Sequence, residues 1–540
     1  MSAAYDTGLV DAFLAHHWRF RPVDATFMGA SGHDDRLPPV GPTVLAEEIA
    51  GIDALLARLD GVAEPDAVGD RLDWRMMRSE LQIARRAAVN RSRLDNPAWY
   101  SGEAAFGIIS LLLPQSAPTN GKAVVARLKA IPDFLEAGAR HLGQRAVPDG
   151  WCRRAQKECA AMAAFLRDDI SLHQAHDGDW QAPADAAARA FETFAAAVND
   201  LEDADPACGA DDLSAIMRIQ HGLDLTPEAA ATLAQAAFDR MGEELVEMAR
   251  DIDPDRTWQE IVASLSEIHP ASEDGVLSLY RDLDHRALEA SEGLVTPERG
   301  YGLDYRWMAP CFRNVSQALY FLFYRSPPGL NPGQGSIYWV TPPGADIAGF
   351  LAGNNVATVK TIHAVHHGSV GHHTQNARAR NAASRIARVA GTDCAMGLAF
   401  LGAGTLIEGW ACHVEDLMME ADGFYSPQEK LLLKQFERRN AASVLVDVRL
   451  HTGQWSMHEA MDFYRDEAGF APARVAGEVV RNSMFPGSRL MYWLGVEGIR
   501  QMRRRWSGSV QAFHDELLSY GHVPLAWVAE EMTRKGLLAA

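Results

Sequence analysis

Cysteine is scarce in this chain and shows no pairing pattern. The 540 residues include six cysteines, Cys152, Cys159, Cys208, Cys311, Cys394 and Cys412, and no Cys-x-x-Cys pair. That excludes a sulfur-ligated zinc site of the usual spacing and fits a reducing compartment. Long apolar runs are also missing. The longest, Met396 to Ile407, spans about twelve residues and contains three glycines, whereas a membrane span needs roughly 20 apolar residues. The start, Met1-Ser-Ala-Ala-Tyr-Asp, has neither a basic nor an apolar leader pattern. These observations set the expectation of a cytoplasmic protein. Basic residues are outnumbered, 51 against 71 acidic, for a net charge of −20. Such a surface repels phosphate backbones and anionic bilayers, so neither nucleic acid nor a membrane is an expected partner. No Gly-Lys-Ser/Thr follows the glycine-rich turns at 328–335, and no Gly-x-Ser-x-Gly elbow occurs. A phosphate loop and a serine hydrolase are thereby disfavoured.

Helical periodicity dominates what is present. It runs through 44–93, 121–172, the alanine-rich 183–202, and a long helix that starts at Thr226-Pro227-Glu228 with Thr226 as N-cap. Three short aromatic and β-branched stretches, Trp307 to Phe312, Ala318 to Tyr324 and Ser336 to Thr341, are separated by Pro- and Gly-rich turns. They predict a small β insert near 300–345. Helices resume from about Val356, over 395–421, 427–451, 456–468, 472–483 and 488–506. The expected organisation is a helical N-terminal lobe, 1–300, and a second lobe, 301–540, that carries a small sheet followed by helices.

The chemistry concentrates in the second lobe. Five of the eleven residues from His363 to His373 are histidine, and neutral imidazole is the commonest metal-ligating side chain. A peptidase-type zinc site uses two histidines at i and i+4 of a helix and a carboxylate from a later one. Here His366 and His372 are six apart. A bulge of two residues at Gly368-Ser-Val-Gly371 would return His372 to the ligand position, for which His373 competes. The acid is sought in Glu408-Gly-Trp-Ala-Cys-His-Val-Glu415. Glu408 and Glu415 share one helix face two turns apart, so they cannot both reach one ion. Glu408 is the expected ligand and Glu415 a supporting or structural residue. Cys412 lies close to Glu408 in sequence. Trp410, Trp455 and Trp493 read as core, and Tyr320-Phe-Leu-Phe-Tyr324 as a buried strand.

Three segments carry a family resemblance: His366-His367-Gly-Ser-Val-Gly371-His372-His373-Thr-Gln375, Glu408-Gly409-Trp410-Ala411 and Asp447-Val-Arg-Leu-His451. Arg481, Pro486-Gly487-Ser-Arg-Leu-Met-Tyr492-Trp-Leu-Gly495 and Pro22-Val-Asp-Ala-Thr-Phe-Met-Gly extend it over nearly the whole chain. They resemble a large bacterial family, domain of unknown function 885, which carries His-Glu-x-x-Pro-Gly-His-His-x-Gln, Glu-Gly-Trp-Ala and Asp-x-x-x-His. That family is similar to the helical zinc peptidases. The resemblance implies a mainly α fold around a deep channel, with zinc at its floor and hydrolysis of peptide-like amides.

Two departures matter. His367 stands where the family has the glutamate that serves as general base, and Val370 where it has proline. Histidine can act as a base near neutral pH, but beside a dication its protonated form is disfavoured. The leading expectation is a metal-dependent hydrolase, with zinc as the metal, acting on an amide or short peptide-like small molecule. The ligands would be His366, His372 and Glu408, with His373 and His363 as possible additions. His367 would be catalytic, assisted by His451 and Tyr492 through hydrogen bonds to an oxyanion, and Arg481 and Arg449 would bind substrate. Asp447 is a candidate to orient a histidine. If His367 or His363 instead joins the ligands, iron or manganese becomes as suitable as zinc, and lyase or oxygen chemistry follows. A third reading is a non-catalytic binding relative with a degenerate site.

Overall fold

A computed structural model describes residues 5–114, 119–319, 323–331 and 335–539. Helix accounts for 66% of the chain and strand for 3%, which makes the fold mainly α. No helix among the described residues is long and apolar enough to cross a membrane.

The chain divides elsewhere than at residue 300. One unit comprises Met1–Cys208, Met308–Gly335 and Ala383–Leu401; the other comprises Gly209–Trp307, Ser336–Ala382 and Gly402–Ala540. The physical reason lies in the packing. The helix Pro227–Ile252, expected in the N-terminal lobe, lies along Pro427–His451. Conversely, two later segments return to the N-terminal helices. Asp73 binds one of them, accepting from the Ser384 hydroxyl at 2.6 Å and from the Arg385 and Ile386 amides at 3.1 and 2.9 Å.

The first unit is organised on the helix Pro97–Leu112, every residue of which is buried. The helices Gly121–Leu142, Asp149–Ala164 and Gln181–Ala197 surround it. Gly138 lets the chain approach Tyr100 closely, since a Cβ there would sit 2.6 Å from the ring.

The second unit carries the histidine cluster. Its helix starts follow the sequence signals. Thr226 caps its helix by accepting from the Ala229 amide, and Ser426 and Glu429 form a capping box at the start of Pro427–His451. The helices Gly404–Leu417 and Leu490–Arg504 cross in near-backbone contact at Gly409 and Gly495. A Cβ on Gly495 would lie 2.3 Å from the Thr405 carbonyl oxygen, so only glycine permits this crossing. Strands β1 (Leu303–Trp307) and β3 (Ser336–Val340) pair in parallel, with Tyr305 opposite Tyr338.

The β insert differs in detail from the sequence expectation. The first strand precedes Trp307 rather than following it, because Pro310 starts a 3-10 turn over Pro310–Phe312. Of the second stretch, Tyr324–Arg325 forms a two-residue strand, β2, and Phe323 beside it is exposed. Residues 320–322 of the aromatic run and 332–334 of the following turn lie outside the described residues.

Candidate metal centre

The histidine segment folds as the six-residue spacing requires. Val359–His366 is wound as a π-helix, and the His367 amide reaches back to the Ile362 carbonyl at 3.1 Å. A tight loop follows, and a new helix, His372–Ala379, begins at the second histidine. Two glycines make the loop possible. A Cβ on Gly371 would lie 1.9 Å from the His366 carbonyl oxygen, and one on Gly368 would lie 2.0 Å from that of Ala364. Asp284 clamps the loop between them, taking the Ser369 amide at 2.8 Å and its hydroxyl at 2.6 Å. Trp410, fully buried, donates to the Gly371 carbonyl at 3.3 Å. Extra residues are thus absorbed by a π-turn and a glycine loop, and the expected bulge is present in this form.

The bulge brings the histidines together. The rings of His366 and His372 are 4.9 Å apart and nearly perpendicular, and those of His366 and His367 are 4.6 Å apart. One nitrogen from each of His366, His367 and His372 lies within 4.8 Å of the others. Glu408 completes the set: its Oε2 is 3.7 Å from His366 Nε2 and 3.6 Å from His372 Nε2. Ligands at about 2.0–2.1 Å around a tetrahedral ion are separated by roughly 3.4 Å. The spacing therefore fits donors around one small cation better than it fits hydrogen bonds.

The tautomers follow from the neighbours. His366 Nδ1 is 2.6 Å from Glu415 Oε1; burial pushes the Glu415 carboxyl well above its usual range, but an ion held at Nε2 requires the ring proton on Nδ1, which then donates to Glu415. His372 Nδ1 is 3.0 Å from Gln375 Oε1, while Gln375 Nε2 donates to the Leu406 carbonyl at 3.1 Å. Because a carbonyl takes the amide's donor end, the oxygen of Gln375 must face His372. Both histidines then carry their proton on Nδ1 and present the Nε2 lone pair toward Glu408. This is the orientation that neutral ligating histidines need.

Burial and charge set which of these groups are ionised. Burial, reinforced by His372, holds the His366 imidazole neutral down to about 3. Burial holds His367 well below its usual range, with His366, His372 and His363 adding to the effect. Burial opposes ionisation of Glu408; a hydrogen bond and positive charge from His372, then His366 and the Arg481 guanidinium, outweigh it and bring its carboxyl down to about 2, so without an ion between them this carboxylate is held by a protonated imidazole rather than faced by a lone pair. Cys412 also lies within reach of His366 and Glu415. Burial pushes its thiol far above the usual range, and it accepts from Asn440 at 3.5 Å, which leaves it a poor thiolate ligand.

Other expected residues are placed differently. His373 has both ring nitrogens engaged, by the Ser336 hydroxyl at 3.1 Å and the Tyr301 carbonyl at 2.6 Å, so it does not compete with His372. His363 stacks on Tyr280 and is hydrogen-bonded to the Tyr338 hydroxyl. His451, fully buried, directs Nε2 to the Asn482 carbonyl at 2.9 Å. Asp447 lies 3.7 Å from His451 but binds three amides at 2.8–3.0 Å, those of Gly487, Arg489 and Leu490. It shapes the turn into the Leu490–Arg504 helix. Arg449 bonds to Gln235 at 3.0 Å and stacks on Trp455. Tyr492 lies 3.5 Å from the Arg489 guanidinium. Arg481 acts electrostatically on both Glu408 and Glu478, while Glu478 is held by Arg474 and Arg489.

Gln375, Asp284 and Tyr338 are contributors that motif reading left without a role. His522 is another. It is buried, neither ring nitrogen has a hydrogen-bond partner among the described residues, and His372 and Arg380 help burial hold it down to about 3. Gln375 could have been found from its i+3 spacing to His372; nothing in the sequence around His522 marks it.

Comparison with known proteins places the fold. The structure of a candidate lipoprotein of unknown function from Shewanella oneidensis superposes with a TM-score of 0.78 at 18% identity, over 98% of this chain and 100% of that one. A candidate lipoprotein from Colwellia psychrerythraea gives 0.77 at 16% identity, over 98% of each chain. Among curated proteins none matches. The two structures overturn the expectation of a cytoplasmic protein, since both are described as lipoproteins. Scarce, unpaired cysteine does not fix the compartment, because a chain this long buries enough surface to fold without disulfides anywhere. The model of a family of bacterial proteins of unknown function matches residues 22–532, and the chain belongs to that family, DUF885.

Proposed function

We propose that this protein is a metal-dependent hydrolase of an amide or peptide-like small molecule, with one divalent ion, zinc foremost, held by His366, His372 and Glu408. The observation that carries the reading is the convergence of two Nε2 atoms on one Glu408 oxygen at 3.6 and 3.7 Å, with both Nδ1 atoms tied from behind. Two histidines and one glutamate are a donor set that suits catalytic zinc and leaves a position open. The mainly helical fold is compatible with that of the helical zinc peptidases. When bound, such an ion supplies Lewis-acid activation of water and of a carbonyl.

The chain's own residues divide the remaining work. His367, held neutral by burial beside His366 and His372, takes up a proton at a ring nitrogen. Its imidazole is a weaker proton shuttle beside a dication than a carboxylate, so the favoured substrate is more readily hydrolysed than an ordinary peptide. Arg481, close enough to act on Glu408, orients a substrate carboxylate. Gln375 and Glu415 fix the ligating imidazoles and do not touch substrate.

A second reading rests on one specific distance. His367 has a nitrogen within 4.8 Å of those of both His366 and His372. If it ligates, the site becomes three histidines and a carboxylate, and iron or manganese with non-hydrolytic chemistry is favoured. The test strips the protein with chelator, reloads it with zinc, iron or manganese, and assays a panel of amides. The hydrolase reading expects zinc to restore activity, and His367→Ala to lower kcat by roughly 10²–10⁴-fold with metal retained. Loss of the metal itself in His367→Ala supports the second reading. No amide turnover with any metal contradicts the first.

A further inference from the structure

A cavity of about 610 Å³ lies in the second unit, lined in part by His413 and Asp416 of the Gly404–Leu417 helix. Its volume is that of a small-molecule pocket. Its charge is close to balanced where the chain as a whole is acidic, since Glu244 and Glu497 beside it also pair with Lys434 and Arg500. Five cations line it, Lys430, Lys434, Arg500, Arg503 and Arg504, against the three acids Asp416, Glu420 and Glu437. The acids are already committed. Arg500 binds Asp416 and reaches Glu437 at 2.6 Å. Lys434 shares Glu437 at 2.9 Å, and Arg503 pairs with Glu420.

Lys430 and Arg504 remain. Among the described residues neither has a carboxylate partner, although the chain as a whole carries a net charge of −20. Lys430 extends from the first turn of the Pro427–His451 helix, and Arg504 is the last residue of Leu490–Arg504. In so acidic a protein, two unpaired cations over a concave surface form a local trap for negative charge. Screening confines its reach to roughly 8–10 Å at physiological salt. The trap therefore suits a small ligand that enters the cavity. The surrounding acidic surface disfavours a long polyanion such as nucleic acid.

We propose that this cavity is a binding site, separate from the metal centre, for a small phosphate-bearing molecule gripped by Lys430 and Arg504. Arg503 supplies a third, shared contact on exchanging part of its pairing with Glu420. Phosphate is favoured over a single carboxylate because two or three separated cations match several oxygens carrying more than one charge.

The probe is inorganic pyrophosphate, titrated calorimetrically into the full chain at low ionic strength. The titration is repeated in Glu408→Ala, because pyrophosphate also chelates metals. Saturable binding is expected in both proteins, weakening as salt rises. Lys430→Ala and Arg504→Ala should each weaken it by at least roughly tenfold. Both side chains are at least partly exposed, and circular dichroism checks that the variants fold as the parent does. No saturable binding up to roughly 10 mM overturns the proposal. Binding that vanishes in Glu408→Ala while surviving both cation variants places the ligand on the metal and also overturns it. Retention on anionic-lipid vesicles without pyrophosphate binding in solution does so as well, in favour of a membrane contact.

Discussion

His366 hydrogen-bonds through Nδ1 to Glu415 at 2.6 Å, and Glu415 sits two helical turns from Glu408, which faces the other nitrogen of the same ring. Two carboxylates seven residues apart cannot share an ion, but they can hold opposite edges of one imidazole. Glu415 fixes the tautomer and Glu408 shares the ligand cluster. Glu415→Leu should therefore lower metal affinity by roughly 10–100-fold, as loss of such a supporting partner does. Glu415→Gln keeps an accepting oxygen and should recover most of that loss. Equal loss in both variants, measured by competition with a chromophoric chelator, would count against an orienting role.

Gln375 makes the matching contact to His372. Gln375→Leu removes the acceptor for Nδ1 and also the donor to the Leu406 carbonyl. Metal affinity should fall by roughly 10–100-fold with little change in fold. Unchanged affinity in the same chelator competition would show that the amide does not set the His372 tautomer.

The loop glycine should be intolerant of any side chain. A Cβ on Gly371 would meet the carbonyl oxygens of both His366 and Val365 at 1.9 and 2.2 Å. Backbone on both sides leaves no flexible neighbour to move. Gly371→Ala should cost about 1–3 kcal/mol or more of stability and release the metal. Thermal unfolding with metal analysis checks both. A variant with the parent's Tm and full metal would mean that the loop can be built another way.

Stability should fall unusually early in acid. His221, His363 and His514 are held down to about 4, and His366 and His522 to about 3, in each case chiefly by burial. In the unfolded chain they titrate near 6.5. Below that pH the unfolded state takes up protons that the folded state refuses, so these groups destabilise the fold as pH falls from about 6.5 toward 4. Each contributes a slope of up to about 1.4 kcal/mol per pH unit. Chelated protein should lose Tm steadily over that range, and His221→Gln should lose less. A Tm constant down to pH 5 would contradict the burial of these groups as neutral imidazoles.

Much of the centre was legible in the sequence because its logic is local. The six-residue gap between His366 and His372, with glycines at 368 and 371, calls for a bulge, and the fold supplies a π-turn and a glycine loop. Helix geometry showed that Glu408 and Glu415 could not share one ion, but not which of them faces the histidines. What was not legible depends on distant partners. His373 neighbours His372 in sequence, but Ser336 and the Tyr301 carbonyl occupy both of its nitrogens, and neither could be paired with it from the sequence. Tyr338 claims His363 by the same kind of contact. Helical periodicity located Pro427–His451 to the residue, because a capping box and an N1 proline mark its start. The division into units escaped, because it depends on which helices pack together and on the return of 308–335 and 383–401 to the N-terminal helices. Periodicity carries no information about either.

The central claim is that His366, His372 and Glu408 hold one divalent ion. Its most direct test is the metal content of protein purified without a histidine tag, measured by inductively coupled plasma mass spectrometry beside His366→Ala, His372→Ala and Glu408→Ala. The account predicts close to one equivalent in the parent and less than roughly one-tenth in each variant, consistent with a site that cannot be assembled from the ligands remaining. A parent with less than one-tenth equivalent after exposure to zinc, iron or manganese, or variants that keep the parent's metal, would contradict it.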